Sequence, residues 1–133
     1  MKIRRAMPVI DTHDPAAARV FYESFLGFRV AMEQDGLLMF ASVSTPTTQL
    51  IVAWDSPTAV DPDVRGVDVS LEVEDVDEAY REALASGLEM VRDIRDEPWG
   101  IRRFFVRDPT GAVVNIASHV DTPVDLPVTT EAS

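Results

Sequence analysis

The chain has 133 residues, a length that suits one compact domain able to bury most of the surface its unfolded form exposes. Its formal net charge of −11 disfavours nucleic acid as a partner, and it makes a cationic small molecule easier to attract, although the same charge also serves solubility. With no cysteine and no apolar run of the roughly 20 residues that a membrane helix needs, the sequence excludes thiolate chemistry and predicts a cytoplasmic protein without a membrane partner.

The first half of the chain predicts one helix and four strands. Residues 3–12 form an apolar segment typical of a strand, and Asp14 followed by Pro15 indicates the start of a helix that Gly27 ends. Three further strands are predicted at 28–32, 37–43 and 48–54, with a hairpin turn at Asp35 and Gly36 between the first two. The helix repeats apolar residues at intervals of three and four, which predicts one stripe facing the sheet: Ala18, Phe21, Tyr22, Phe25 and Leu26.

The second half repeats this order after a loop at 55–65. A strand is predicted at 66–73, and Asp75 with Glu78 forms a capping box that opens a helix through residue 86, before Gly87. The remaining strands are predicted at 88–94, 101–107 and 112–118, the last two joined by the turn Asp108-Pro109-Thr110-Gly111.

Equal spacing of the caps indicates an internal duplication. Asp14 and Asp75 are 61 residues apart, and Gly27 and Gly87 are 60 apart. We therefore expect two similar modules, at 3–54 and 66–119, within a single domain at 1–119. Residues 120–133 contain Pro and Thr with little periodicity and are predicted to be a tail.

Trp99 lies in the most informative segment of the sequence. Pro98 before it and Gly100 after it favour a bend, so the indole is predicted to lie at a strand end. An indole in that position can stack on a ligand or cap the edge of the core, and the sequence leaves both possibilities open.

The repeated β-α-β-β-β order resembles the vicinal oxygen chelate superfamily, which includes glyoxalase I, extradiol dioxygenases, fosfomycin-resistance proteins and bleomycin-resistance proteins. The resemblance covers about residues 3–119 and also depends on three short motifs: Phe21-Tyr22, Leu26-Gly27-Phe28 and Asp108-Pro109-Thr110-Gly111. The segment Glu97-Pro98-Trp99-Gly100 with Arg102 is more similar to the bleomycin-resistance branch than to glyoxalase I. The resemblance implies an α+β fold, in which two tandem βαβββ modules form a curled mixed sheet around a cavity with the helices outside, and it implies a homodimer.

In metal-dependent relatives, the resemblance implies ligands on the first and last strands of each module. Counting from the caps and the last turn places four residues there: Met7, Gln49 (with Ile51 in a competing register), Asp68 and Asn115. Only Asp68 carries a donor that divalent metals favour, so we expect neither a metal nor any other cofactor. His13 and His119 are predicted to be surface or strand-end residues.

Strand alternation assigns the faces of the sheet. Apolar residues at 69, 71 and 73 predict contact with the helix and turn Asp68, Ser70 and Glu72 towards the cavity, and the same count turns Gln49 inward. Phe104 and Val106 are predicted to join the core, which leaves Arg103 and Phe105 inside, although the opposite assignment fits only slightly worse. We expect either a salt bridge of Arg103 with Glu72 or Asp68, or charges that reach solvent at the rim.

Three functions compete. The first is a metal-free protein that binds a small cationic or aromatic molecule and has no catalytic residues, with eight predicted ligand contacts: Trp99, Phe105, Arg103, Asp68, Glu72, Gln49, Met7 and Asn115. The second is a metal-dependent lyase, isomerase or dioxygenase in which Asp68 acts with unexpected partners or across a dimer interface. The third is a structural or regulatory module without a ligand. The apolar segment 37–40 is predicted to be core or, alternatively, interface.

Overall fold

The computed structural model describes residues 1–120, and residues 121–133 of the predicted tail lie outside this range. The fold is α+β. The first strand, β1, spans Ile3–Asp11. The chain divides into two compact units, an N-terminal unit of residues 7–68 and a C-terminal unit that combines residues 1–6 with 69–120. None of the helices within the described residues is long and apolar enough to span a membrane.

The N-terminal unit holds a helix that begins as α1, a short 3₁₀ helix and a sheet in the order β2-β3-β4-β1. Its elements after β1 are α1 (Pro15–Arg19), a π-helical segment (Val20–Phe25), β2 (Arg29–Gln34), β3 (Leu37–Ala41), β4 (Gln49–Ala53) and a 3₁₀ helix (Pro62–Gly66). Strand β1 runs parallel to β4, and the other pairs are antiparallel. The predicted helix start is confirmed, since the Asp14 carboxylate accepts a hydrogen bond from the Ala17 backbone N–H.

The predicted apolar stripe of this helix is only partly correct. From Val20 the helix widens, and the Leu26 N–H donates to the Phe21 carbonyl, five residues back instead of four. Intervals of three and four no longer mark one face in such a segment. Ala18 and Tyr22 pack on the sheet. The other three predicted stripe residues are exposed: Phe21 by 48%, Phe25 by 73% and Leu26 by 49%.

Both faces of the N-terminal sheet are apolar. Leu38, Phe40 and Val52 form the core on the α1 side, where the Phe40 ring centroid lies 5.4 Å from that of Tyr22. The opposite face carries a second buried cluster: Met7, Leu37, Met39, Ile51, Ala53 and Val64. Residues 37–40 are therefore core, as one of the two alternatives predicted.

The C-terminal unit repeats the same type of element order. It contains β5 (Val69–Val73), α2 (Val76–Ala85), β6 (Glu89–Glu97), β7 (Ile101–Arg107) and β8 (Val113–His119). The sheet order is β5-β8-β7-β6, with β5 parallel to β8 and the other pairs antiparallel. Asp75 caps α2 as predicted, because its carboxylate accepts from the Glu78 N–H at 3.0 Å.

Helix α2 packs on one face of this sheet, around Val73, Phe104 and Val106. The assignment of Phe104 and Val106 to the helix side is thus confirmed, and the opposite assignment is wrong. Within each unit the strands follow one another in an open order, and the predicted curl around a cavity stays a prediction. Ser70, Arg103 and Asn115 lie on the face of this sheet opposite α2.

Candidate functional site

The face of the C-terminal sheet opposite α2 collects polar and aromatic side chains, and we call it the site face. Alternation along β5, β7 and β8 places on it Ser70, Glu72, Arg103, Phe105, Asn115 and His119. Strand pairing aligns Asn115 with Ser70 on one side and with Phe105 on the other. These three side chains therefore form the centre of the site face.

Asn115 has an unsatisfied buried polar atom. Its residue is only 7% exposed, and its Nδ2 donates to the Ser70 Oγ at 2.9 Å. Its Oδ1 is buried and has no hydrogen-bond partner among the described residues. Such an atom costs about 1–3 kcal/mol relative to a hydrogen-bonded one, and buried groups of this kind are rare in native proteins. The site face thus holds an acceptor that a bound donor would satisfy.

Arg103 and Glu97 form a buried ion pair beside this centre. Arg103 is 3% exposed, and its Nε donates to the Glu97 Oε2 at 2.8 Å. Arg92, on the same strand as Glu97, donates to the same oxygen. Burial by itself raises the pKa of Glu97, but the two guanidiniums more than offset burial, so the pKa of this carboxyl lies below its usual value.

Two aromatic rings contact these cations. The Arg103 guanidinium carbon lies 5.3 Å from the ring centroid of Trp99 and 5.0 Å from that of Phe105, and Arg92 lies 4.9 Å from Phe105. Trp99 occupies the turn between β6 and β7, as predicted, where Gly100 adopts a φ of 90°. Its indole is 38% exposed. Both rings are thus in cation–π contact with the protein's own arginines.

A second polar group lies at the other end of the site face. Glu72 accepts from the Nε of Arg5 at 2.9 Å through Oε1, and its Oε2 lies 3.0 Å from the Nδ1 of His119. The side chains of Arg5 and Glu72 are largely buried, whereas that of His119 is 44% exposed. The His119 imidazole is therefore exposed to solvent while it contacts a carboxylate that Arg5 holds in place.

Five of the eight predicted contact residues belong to this region: Glu72, Trp99, Arg103, Phe105 and Asn115. Met7 and Gln49 belong to the N-terminal unit, where Met7 packs in an apolar cluster and the Gln49 amide donates to the Pro46 carbonyl at 2.8 Å. Asp68 is exposed at the end of the same unit. A cavity shared by all eight residues stays a prediction.

The predicted salt bridge between Glu72 and Arg103 is wrong, because each of these residues pairs with a different partner. Glu72 pairs with Arg5 and His119, and Arg103 pairs with Glu97. The alternative bridge between Asp68 and Arg103 joins residues of the two units and stays a prediction. Sequence reasoning missed Arg5, although alternation along β1 places it on the same side as the predicted Met7.

The predicted metal positions do not fit a divalent ion. Met7 offers a buried thioether, while Gln49 and Asn115 offer neutral amides, whose NH2 groups donate within the protein. Zinc favours imidazole or carboxylate donors, and magnesium or calcium favours several charged oxygens. Within residues 1–120, no three His, Asp or Glu side chains are placed to hold a metal ion.

One family model covers most of the chain. The model of the glyoxalase/bleomycin resistance protein/dioxygenase superfamily matches residues 5–116. A search of the curated proteins finds no match.

Solved structures share the fold at low sequence identity. A member of that superfamily from Vibrio splendidus 12B01 has 16% identity and a TM-score of 0.66, with 88% of this chain and 99% of that chain covered. Methylmalonyl-CoA epimerase from Mycobacterium tuberculosis has 15% identity and a TM-score of 0.65, with 90% and 89% covered. Homoprotocatechuate 2,3-dioxygenase from Arthrobacter globiformis has 20% identity and a TM-score of 0.64, with 90% of this chain but 37% of that chain covered. At such identities, these similarities show the fold alone.

Proposed function

Because the chain belongs to the glyoxalase/bleomycin resistance protein/dioxygenase superfamily, we propose that it binds a small organic molecule on the site face without a metal, in the manner of the bleomycin-resistance branch. The observation that carries this proposal is the buried Oδ1 of Asn115, which has no hydrogen-bond partner among the described residues. A ligand N–H or O–H at this atom would remove a desolvation cost of about 1–3 kcal/mol. Binding is the simplest use of an acceptor that the fold leaves unsatisfied.

The neighbours of Asn115 indicate the rest of the ligand. Phe105 and Ser70 lie next to it in the strand register, both buried, and the Ser70 hydroxyl accepts from the Asn115 Nδ2. The Trp99 ring is partly exposed but already contacts the Arg103 guanidinium. A cationic ligand would have to share that indole with a fixed cation. An uncharged aromatic molecule with a hydroxyl or amide therefore suits the site face better than a cation.

A selective NMR titration tests the proposal. Asn115 is the only asparagine in the chain, so ¹⁵N-asparagine labelling gives one side-chain amide signal. We would titrate phenol, benzamide and benzyltrimethylammonium, three aromatic probes that differ in the polar group. The expected result is a saturable shift of the Asn115 amide signal with phenol or benzamide, and a smaller shift with the cation. A signal that no probe moves would refute binding at this atom.

The side chains at the four predicted metal positions predict that the metal content of the protein does not depend on Asp68. We expect purified wild-type protein and Asp68→Ala to contain equally little Zn, Ni, Mn and Fe, since the residues at the other metal positions are poor ligands. Elemental analysis of both proteins measures this directly. One equivalent of any of these metals in the wild type, lost on the substitution, would instead support the metal-dependent enzyme. A homodimer, which the resemblance implies, stays a prediction.

A further inference from the structure

The site face carries a histidine, His119, whose imidazole contacts a carboxylate in the way that catalytic histidines often do. His119 ends β8 on the same face as Asn115, and its Nδ1 lies 3.0 Å from Glu72 Oε2. The other oxygen of Glu72 is held by two nitrogens of Arg5, each at 2.9 Å. A carboxylate fixed in this way restricts the position of the imidazole ring.

The contact also selects the state of the ring. An ionised carboxylate only accepts hydrogen bonds, so the neutral imidazole beside it carries its proton on Nδ1. The lone pair of Nε2 is then directed away from Glu72. Because the His119 side chain is 44% exposed, a small molecule can reach it.

We propose that His119 Nε2 is a proton acceptor for a ligand of the site face, with Glu72 and Arg5 as positioning residues. This inference rests on the proposed function, since the same face must admit a small molecule. The ligand class is an aromatic or heteroaromatic molecule with an acidic C–H or O–H. Orientation by a carboxylate is the arrangement that general bases need, and a positioned base accelerates proton transfer by about 10²–10⁴-fold.

The elimination reaction of 5-nitrobenzisoxazole provides a probe that needs no metal or second substrate. Nε2 takes the proton from C3, the C–H electron pair completes the carbon–nitrogen triple bond, and the N–O bond breaks. The electron pair of that bond remains on oxygen, which gives a coloured nitrophenolate. The proton stays on the imidazolium until water removes it.

The test compares four proteins at about pH 8.5. We expect His119→Gln to lower the rate about tenfold or more, and Glu72→Gln to lower it by a smaller factor. His13→Gln is the matched control, because His13 is the only other histidine and lies exposed in the N-terminal unit. It should leave the rate unchanged. Equal rates for wild type and His119→Gln, or no rate above buffer, would overturn the inference.

A second measurement separates positioning from mere folding. ¹⁵N spectra of the histidine rings should show the Nδ1–H tautomer for His119 in the wild type and a mixture of tautomers in Glu72→Gln, while His13 is unchanged. Identical His119 spectra in the two proteins would remove the role of Glu72.

Failure of this inference is distinguishable from failure of the binding proposal. A shift of the Asn115 amide with phenol or benzamide, without a His119-dependent rate for 5-nitrobenzisoxazole, would leave binding intact and overturn proton transfer. An Asn115 amide that no probe shifts would overturn binding itself.

Discussion

Replacing Phe40 by alanine is expected to lower the free energy of unfolding by about 3–5 kcal/mol. Phe40 lies on β3 and is fully buried on the helix side of the sheet, where its ring packs near those of Tyr22 and Phe28. Truncation removes the largest buried ring of the N-terminal unit and leaves a cavity that rigid strands fill poorly. Urea unfolding followed by circular dichroism measures the loss.

Phe25→Ala is the matched control for this substitution. It removes the same ring from the same unit, but Phe25 is 73% exposed in the π-helical segment. We expect a change within about 0.5 kcal/mol. Equal losses for the two variants would mean that the helix packs through the stripe predicted from sequence, contrary to the structure.

Glu97→Gln is expected to lower the free energy of unfolding by about 3 kcal/mol at neutral pH. The carboxylate is buried and accepts hydrogen bonds from two guanidiniums, those of Arg92 and Arg103. The neutral amide of the glutamine would place no negative charge beside the positive charges of Arg92 and Arg103 at this position. Glu89→Gln is the control, because Glu89 pairs with Arg107 at the exposed end of the same strand, where ion pairs contribute at most about 1 kcal/mol.

The contribution of Glu97 also has a predictable pH dependence. Because the folded state lowers its pKa below the ordinary value of 4.5, the stabilisation is fully present above that value. It is lost as the pH falls from there through the folded pKa. The difference in unfolding free energy between wild type and Glu97→Gln should therefore be constant from about pH 7 to 5.5 and shrink under acid. A difference that grows on acidification would contradict the assignment.

Local turn and cap chemistry made most of the fold predictable. Asp14, Asp75 and the turn at 108–111 act on neighbouring backbone groups, and the structure places each of them as predicted. The π-helical segment was not predictable in this way. It changes the period of the helix without a proline or glycine to signal it, so the apolar spacing of Phe21 and Phe25 was misleading.

The sequence predicted which side chains share the site face, but it did not predict which charged side chains form ion pairs there. Alternation holds along β7 and β8, so Arg103, Phe105 and Asn115 share the site face as predicted. In β6 the register shifts between Met90 and Arg92 and again before Arg95. These irregularities bring Arg92 and Glu97, an odd number of residues apart on β6, into contact with each other. Bulges depend on pairing across the sheet, which the sequence of one strand does not show.

Equilibrium binding to Asn115 variants tests the central claim most directly. For whichever of phenol or benzamide binds more tightly, we expect Asn115→Ala to raise the Kd about fivefold to tenfold, because the ligand loses its hydrogen bond to Oδ1. Gln34→Ala, which removes an amide from the N-terminal unit, should leave the Kd unchanged. Equal affinity of wild type and Asn115→Ala for that probe would contradict the claim that the unsatisfied oxygen is the ligand contact.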